Sequence, residues 1–223
     1  MQLKSIQFAV FTNELIQRPD LLFQSVNSKL NSIIDDMPMI VNLPANIQAD
    51  LPIVQANSID KRFAMNVSRT RVDFFINCDE TDSNSTPASV FKTNRELFRK
   101  YFKAVLEEQS IVRVGLVITM FKPITENVKS IYEKYLTEKY SLGSQEVTLR
   151  INDQSLLKGI TLNNIRLVQS AVISEANENT NGVVIQLDIN NVPSERQLTA
   201  DFVSAFLGHV AEKVKDSVVQ EMI

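Results

Sequence analysis

One order of local patterns is written twice along these 223 residues. An alternating apolar run leads to a helical stripe, then to further alternating runs, then to a second helical stripe. In "KSIQFAVF", Ile6, Phe8 and Val10 fall on one face; in "IVRVGLVITMF", Val112, Val114, Leu116, Ile118 and Met120 do the same. Both are period-two patterns rich in β-branched and aromatic residues, the mark of a half-buried strand. A short proline loop follows each, "RPD" at 18–20 and "KPI" at 122–124. Leu22, Val26, Leu30 and Ile33 then make one buried helix stripe, and Val128, Ile131, Tyr135 and Leu136 the other.

Each half continues with strands. The first passes through "MIVNL", "LPIVQANS", "KRFAMNV" and "RVDFFIN"; the second through "QEVTLRIND", "GITLNNIRLVQSAVI" and "GVVIQLDIN". "SIDK", "NDQS" and "NENTNG" are the turn signals between them. Apolar parity flips between Phe63-Met65-Val67 and Val72-Phe74-Ile76, which requires a tight turn or a bulge near "SRT". Both halves close on a helix with a capping-box signature, "TNRE" from Thr93 and "SERQ" from Ser194. The first helix, 94–108, would bury Leu97, Phe98, Tyr101, Phe102 and Val105. The second, 195–219 and the longest, would bury Leu198, Phe202, Phe206, Val210 and Val214. Gly208 would allow it close packing.

The fold class expected is α+β: mainly antiparallel sheet, helices on one side, two similar strand-helix-strands-helix halves. The halves run 1–109 and 110–223, packed as one unit, and are read as an internal duplication. The competing reading is that alternating α+β folds look self-similar by chance. The polar stretch "CDETDSNSTPAS", 78–89, has no counterpart in the second half and reads as a surface loop.

Composition limits what such a chain does. A hydrophobic fraction of 44% and a charged fraction of 22% suit a globular core without metals or disulfides. A net charge of −3 argues against a generic polyanion binder. Cys78 is the single cysteine, so no intrachain disulfide forms. With no signal-peptide pattern at the N-terminus and no apolar run of about 20 residues, a cytoplasmic location and no membrane partner are expected. Five glycines leave little material for phosphate loops.

Three stretches resemble a sporadically distributed family of uncharacterised prokaryotic proteins. These are "VRVGLVI" at 112–118, "QLDIN" at 186–190 and "FLGHVAEKV" at 206–214. That family has a near-C-terminal Leu-Asp-Ile-Asp-type strand followed by a His-containing helix. Asn190 stands where the family has its second Asp. The resemblance covers the last half of the chain and implies no particular activity.

Candidate chemistry is sparse. His209 is the sole histidine, a general base or ligand in one reading and a core-edge helix residue in the other; a His-based zinc site lacks partners. Cys78 precedes the acidic "DETD", which disfavours a thiolate. "DETDSN" at 79–84 lacks the glycine and distal glutamate of a calcium loop. Asp73 and Asp188 sit on the polar sides of their strands, where paired acids hold magnesium or do acid–base chemistry, or simply face water. Arg71, Arg113, Arg150 and Arg166 also occupy polar strand faces and suit an anion or single-stranded nucleic acid, with Phe75 as the neighbouring aromatic. No metal or cofactor is called for.

Two functions are carried forward. One is a non-catalytic protein-binding or assembly protein that forms homo-oligomers. Its interface would be an edge strand or the apolar tail Val218, Val219, Met222 and Ile223. The alternative is an enzyme, or a binder of nucleotide or nucleic acid, using an Arg/Asp pocket on the sheet face built from Arg71, Asp73, Arg113, Arg150, Arg166 and Asp188. Enzyme activity and nucleic-acid binding are the less favoured of these.

Overall fold

The computed structural model describes residues 1–42, 44, 47–78, 86–123, 148–175, 178–194 and 196–215. The expected helix over 128–136, the acidic stretch 79–84 and the tail from Val218 lie outside them.

Among the described residues, nine strands form one antiparallel sheet. In chain order they are β1 (Gln2–Thr12), β2 (Met39–Ile40), β3 (Val54–Asn57), β4 (Phe63–Val67), β5 (Arg71–Asn77), β6 (Ile111–Pro123), β7 (Thr148–Leu157), β8 (Ile160–Glu175) and β9 (Glu178–Asn191). Across the sheet the order is β2-β3-β4-β5-β1-β6-β9-β8-β7. The fold is α+β with a mainly sheet core. In each half the first strand pairs with the last, β1 with β5 and β6 with β9, and the preceding strands follow outward. β1 and β6 pair with each other at the centre, Phe8 opposite Leu116 and Val10 opposite Val114.

The alternating patterns find their partners in this register. Ile6, Phe8 and Val10 on β1, with Val114, Leu116, Ile118 and Met120 on β6, are all fully buried. A register shift beside Thr12 turns Ile111 into the core in place of Val112. The parity flip at "SRT" is a tight turn. Val67 pairs Val72, the Ser68 N–H donates to the Arg71 carbonyl, and Phe63, Met65 and Val67 keep the same face as Ile76, Phe74 and Val72. The connection from β7 to β8 departs from expectation. "NDQS" lies inside β7, and the turn is Lys158-Gly159, with φ of 49° and 79°. Two positive φ values between Leu157 and its partner Ile160 make a two-residue turn whose twist matches the strands.

Three helices pack on one face among the described residues: α1 (Pro19–Lys29), α2 (Pro87–Leu106) and α3 (Ala200–Lys213). Neither capping box is used. Thr86, followed by Pro87 at the first helical position, caps α2 by accepting from the Ser89 N–H, so the helix begins a full two turns before the expected start. Thr199 caps α3 by accepting from the Phe202 N–H, and Ser194 lies outside the helix. α2, with 20 residues, is longer than the 14-residue α3, contrary to expectation. Phe98, Tyr101 and Phe102 of α2 and Phe206 of α3 are buried against the sheet. Phe8 is their meeting point, edge-on to Phe98 at 5.6 Å and stacked on Phe206 at 6.3 Å. Gly208 faces α2, but a Cβ there would sit 3.5 Å from an Arg95 guanidinium nitrogen, an ordinary contact, so this packing does not require glycine.

Candidate functional site

Residues directly opposite across an antiparallel ladder share a face. The register therefore carries rows of side chains across the face away from the helices. One row is Asp73, Ala9, Gly115, Asn190, Asn163 and Gln154. Beside it runs Phe75, Gln7, Val117, Asp188 and Ile165. On its other side stand Arg71, Phe11 and Arg113.

Four of the six candidate residues meet here. The Arg71 Nε donates to Asp73 Oδ2 at 2.7 Å, and Gln7 Nε2 donates to Asp73 Oδ1 at 2.9 Å. Arg113 Nη2 donates to Asn190 Oδ1 at 3.1 Å, and Asn190 Nδ2 donates to Asp188 Oδ1 at 2.8 Å. Asn190 is thus a bridge between a cation and an anion, a role its amide performs because it both accepts and donates. The Phe11 ring joins the two halves of the network. The Arg71 and Arg113 guanidinium carbons lie 5.6 and 4.9 Å from its centroid, cation–π contacts on one shared ring.

Asp73 differs from its expected setting. It lies on the polar side of β5, yet is only 3% exposed. Burial pushes its carboxyl above the usual aspartate range, against the opposing pull of Arg71 and Gln7. Arg150 shares this face but stands two rows away on β7, opposite Leu167. Arg166 is on the other face: it pairs Leu187, which pairs the core residue Ile118, and its guanidinium meets Asp153 at 2.9 Å. The six expected residues therefore do not form one pocket. A cleft of about 580 Å³ lies elsewhere, between Glu14–Arg18, Leu21, Ser25 and Glu108–Ser110, and none of the six lines it.

His209 on α3 faces the helix side of the sheet. Its Nε2 is 2.9 Å from Asn164 Oδ1, while the Asn164 amide donates to the Asp153 carbonyl and to Ser155 Oγ. Burial, with Lys213 a lesser cause, holds this imidazole below the usual histidine range. The contact ties β7 and β8 to α3. Cys78 is half-buried at the end of β5, packed against the core. Among the described residues no group of three His, Cys, Asp or Glu side chains is placed to hold a metal ion, and no helix is long and apolar enough to cross a membrane.

Gln7, Phe11 and Asn190 complete the network, and the sequence reading passed over them as site residues. Their signal was positional: each is an outward residue on a strand adjoining Arg71, Asp73 or Arg113, which only the strand order discloses. The motifs "VRVGLVI", "QLDIN" and "FLGHVAEKV" fall on β6, β9 and α3. No protein-family model matches the chain, and no curated protein matches it either.

Proposed function

We propose that this chain is a non-catalytic assembly protein that binds a protein partner by strand addition along β7, and that the partner is a second copy of itself. One observation carries the reading. β7 is a ten-residue outer strand whose side chains are exposed or half-exposed on both faces. The opposite outer strand, β2, has two residues. Folded proteins protect long edges with charged side chains, lysine above all, and with proline, bulges or brevity. β2 has brevity; β7 has no lysine, no proline and an unbroken register with β8, and of its two charged residues, Arg150 and Asp153, the second is paired with Arg166.

Among the described residues no strand pairs with the outer side of β7, and the two-residue turn fixes which of its backbone groups face that side. Leu157 and Ile160 flank it as a hydrogen-bonded pair, and bonded pairs alternate along an antiparallel ladder. The N–H and C=O groups of Thr148, Arg150, Asn152, Gln154 and Leu156 therefore point away from β8. A second β7 running antiparallel supplies the complement. A twofold axis centred on Asn152 opposes Arg150 to Gln154 of the second copy, and keeps Arg150 from Arg150 and Asp153 from Asp153. Cyclic dimers are the commonest soluble assemblies. One strand pair falls at or below the low end of specific interfaces of about 1,200–2,000 Å², so the dimer is expected to dissociate on dilution.

Asn152→Pro tests this. Proline removes the outward N–H of residue 152 and no β7–β8 bond. Sedimentation equilibrium should show a concentration-dependent dimer for the native chain and a monomer for the variant, with little change in melting temperature. A native chain that stays monomeric at every concentration would overturn the homodimer. A dimer that survives Asn152→Pro would remove β7 from its interface.

A further inference from the structure

We infer that the Arg71–Phe11–Arg113 row on the outer face is a binding site for a phosphate-type oxyanion, free or carried by a small molecule. The argument begins with an imbalance of charge. Arg71 has a counter-ion, Asp73, at 2.7 Å. Arg113 has no carboxylate within ion-pair distance among the described residues; its one described hydrogen bond goes to the neutral amide oxygen of Asn190. Its Nε is buried without a hydrogen-bond partner, as are those of Arg95 and Arg99. A half-buried cation without a counter-ion is costly to keep, and such groups in folded proteins call for an ion or a solvent partner.

The second observation is position. Both guanidinium carbons lie against the Phe11 ring, at 5.6 and 4.9 Å from its centroid, which reduces the side-chain freedom lost when a ligand arrives. Arg71 spends only its Nε on Asp73 among its described hydrogen bonds, and its side chain is 29% exposed, which leaves its amino N–H groups reachable. Two arginine forks offer more donors than a carboxylate has oxygens to accept; three peripheral oxygens of a phosphate suit them better. In the next row Ala9 and Gly115 keep the sheet surface low, while Asp73 and Asn190 flank them. The site uses neither β7 nor its open edge, and stands or falls apart from strand addition.

Isothermal titration at low ionic strength, with inorganic phosphate and with AMP as probes, tests it. Saturable binding of at least one probe is expected, weakened about tenfold or more in Arg113→Gln. Arg113→Lys, which keeps the charge and loses the planar fork, should fall between the two and guards against a fold defect in the glutamine variant. Circular dichroism melting confirms that each variant is folded. Tighter binding of AMP than of phosphate would assign an organic phosphate; equal binding would assign the free ion. No saturable binding of either probe, or binding undiminished in both arginine variants, would overturn the site.

Discussion

Tyr101 shows how single residues fix this core. Its ring stacks on Phe74 at 5.3 Å, and its hydroxyl donates to the Val72 carbonyl at 2.7 Å, so a fully buried polar atom is satisfied. Burial, with the Asp73 charge nearby, pushes this phenol well above the ordinary tyrosine range. Phe98, fully buried and ringed by Phe8, Phe91 and Phe74, has little room to relax. Phe98→Ala should cost about 3–5 kcal/mol in chemical denaturation. Gly182 is constrained differently: a Cβ there would sit 2.2 Å from the Phe121 ring. Gly182→Ala should therefore lower the melting temperature, whereas Gly159→Ala meets no atom and suffers only from its positive φ, about 1 kcal/mol. Asp73 gives a pH signature. Its folded pKa is raised, so the native state holds the proton more tightly than the unfolded chain does. Its contribution to stability is fullest below the unfolded aspartate value and is lost as pH rises through the folded one. Native protein should gain stability relative to Asp73→Asn as pH falls through that window. A difference that is constant with pH would contradict the burial account. The apolar stripes were legible because each is a property of one segment. Asp73's burial was not, since Gln7, Phe11 and Arg71 come together only through the pairing of β1 with β5.

At the scale of elements, the existence of the described strands and helices followed from periodicity, and their ends did not. Thr93 and Ser194 carry good capping sequences, but Thr86 with Pro87 offers a start that lets Phe91 also reach the core. Tertiary burial of one more turn outweighs a local motif. Thr86→Ala should cost about 1 kcal/mol by losing the bond to the Ser89 N–H, while Thr93→Ala should change little. "NDQS" was misread for a related reason. Polar residues mark turns when a strand has a core on one side, but β7 has water on both. The true turn, Lys158-Gly159, carries its signal in a single glycine. The "SRT" ambiguity also needed the partner strand, because parity alone does not separate an even-numbered turn from a bulge.

The whole molecule is organised about the β1–β6 pair. From it the order β5-β4-β3 runs one way and β9-β8-β7 the other. The order of strands is alike on its two sides, and Asp73 and Asp188 occupy comparable positions, each on the strand that flanks the central pair. Among the described residues the two halves end differently: the first tapers to a two-residue edge, the second stops at a ten-residue one. The assembly account rests on that contrast. Its most direct test is backbone hydrogen exchange along β7, followed amide by amide at low and at high protein concentration. The account predicts that the amides of Arg150, Asn152 and Gln154 exchange freely in dilute solution and become protected as concentration rises. Those of Ile151, Asp153 and Ser155, bonded to β8, should be protected throughout. Outward amides that exchange freely at every concentration, in a protein that is otherwise folded, would contradict it.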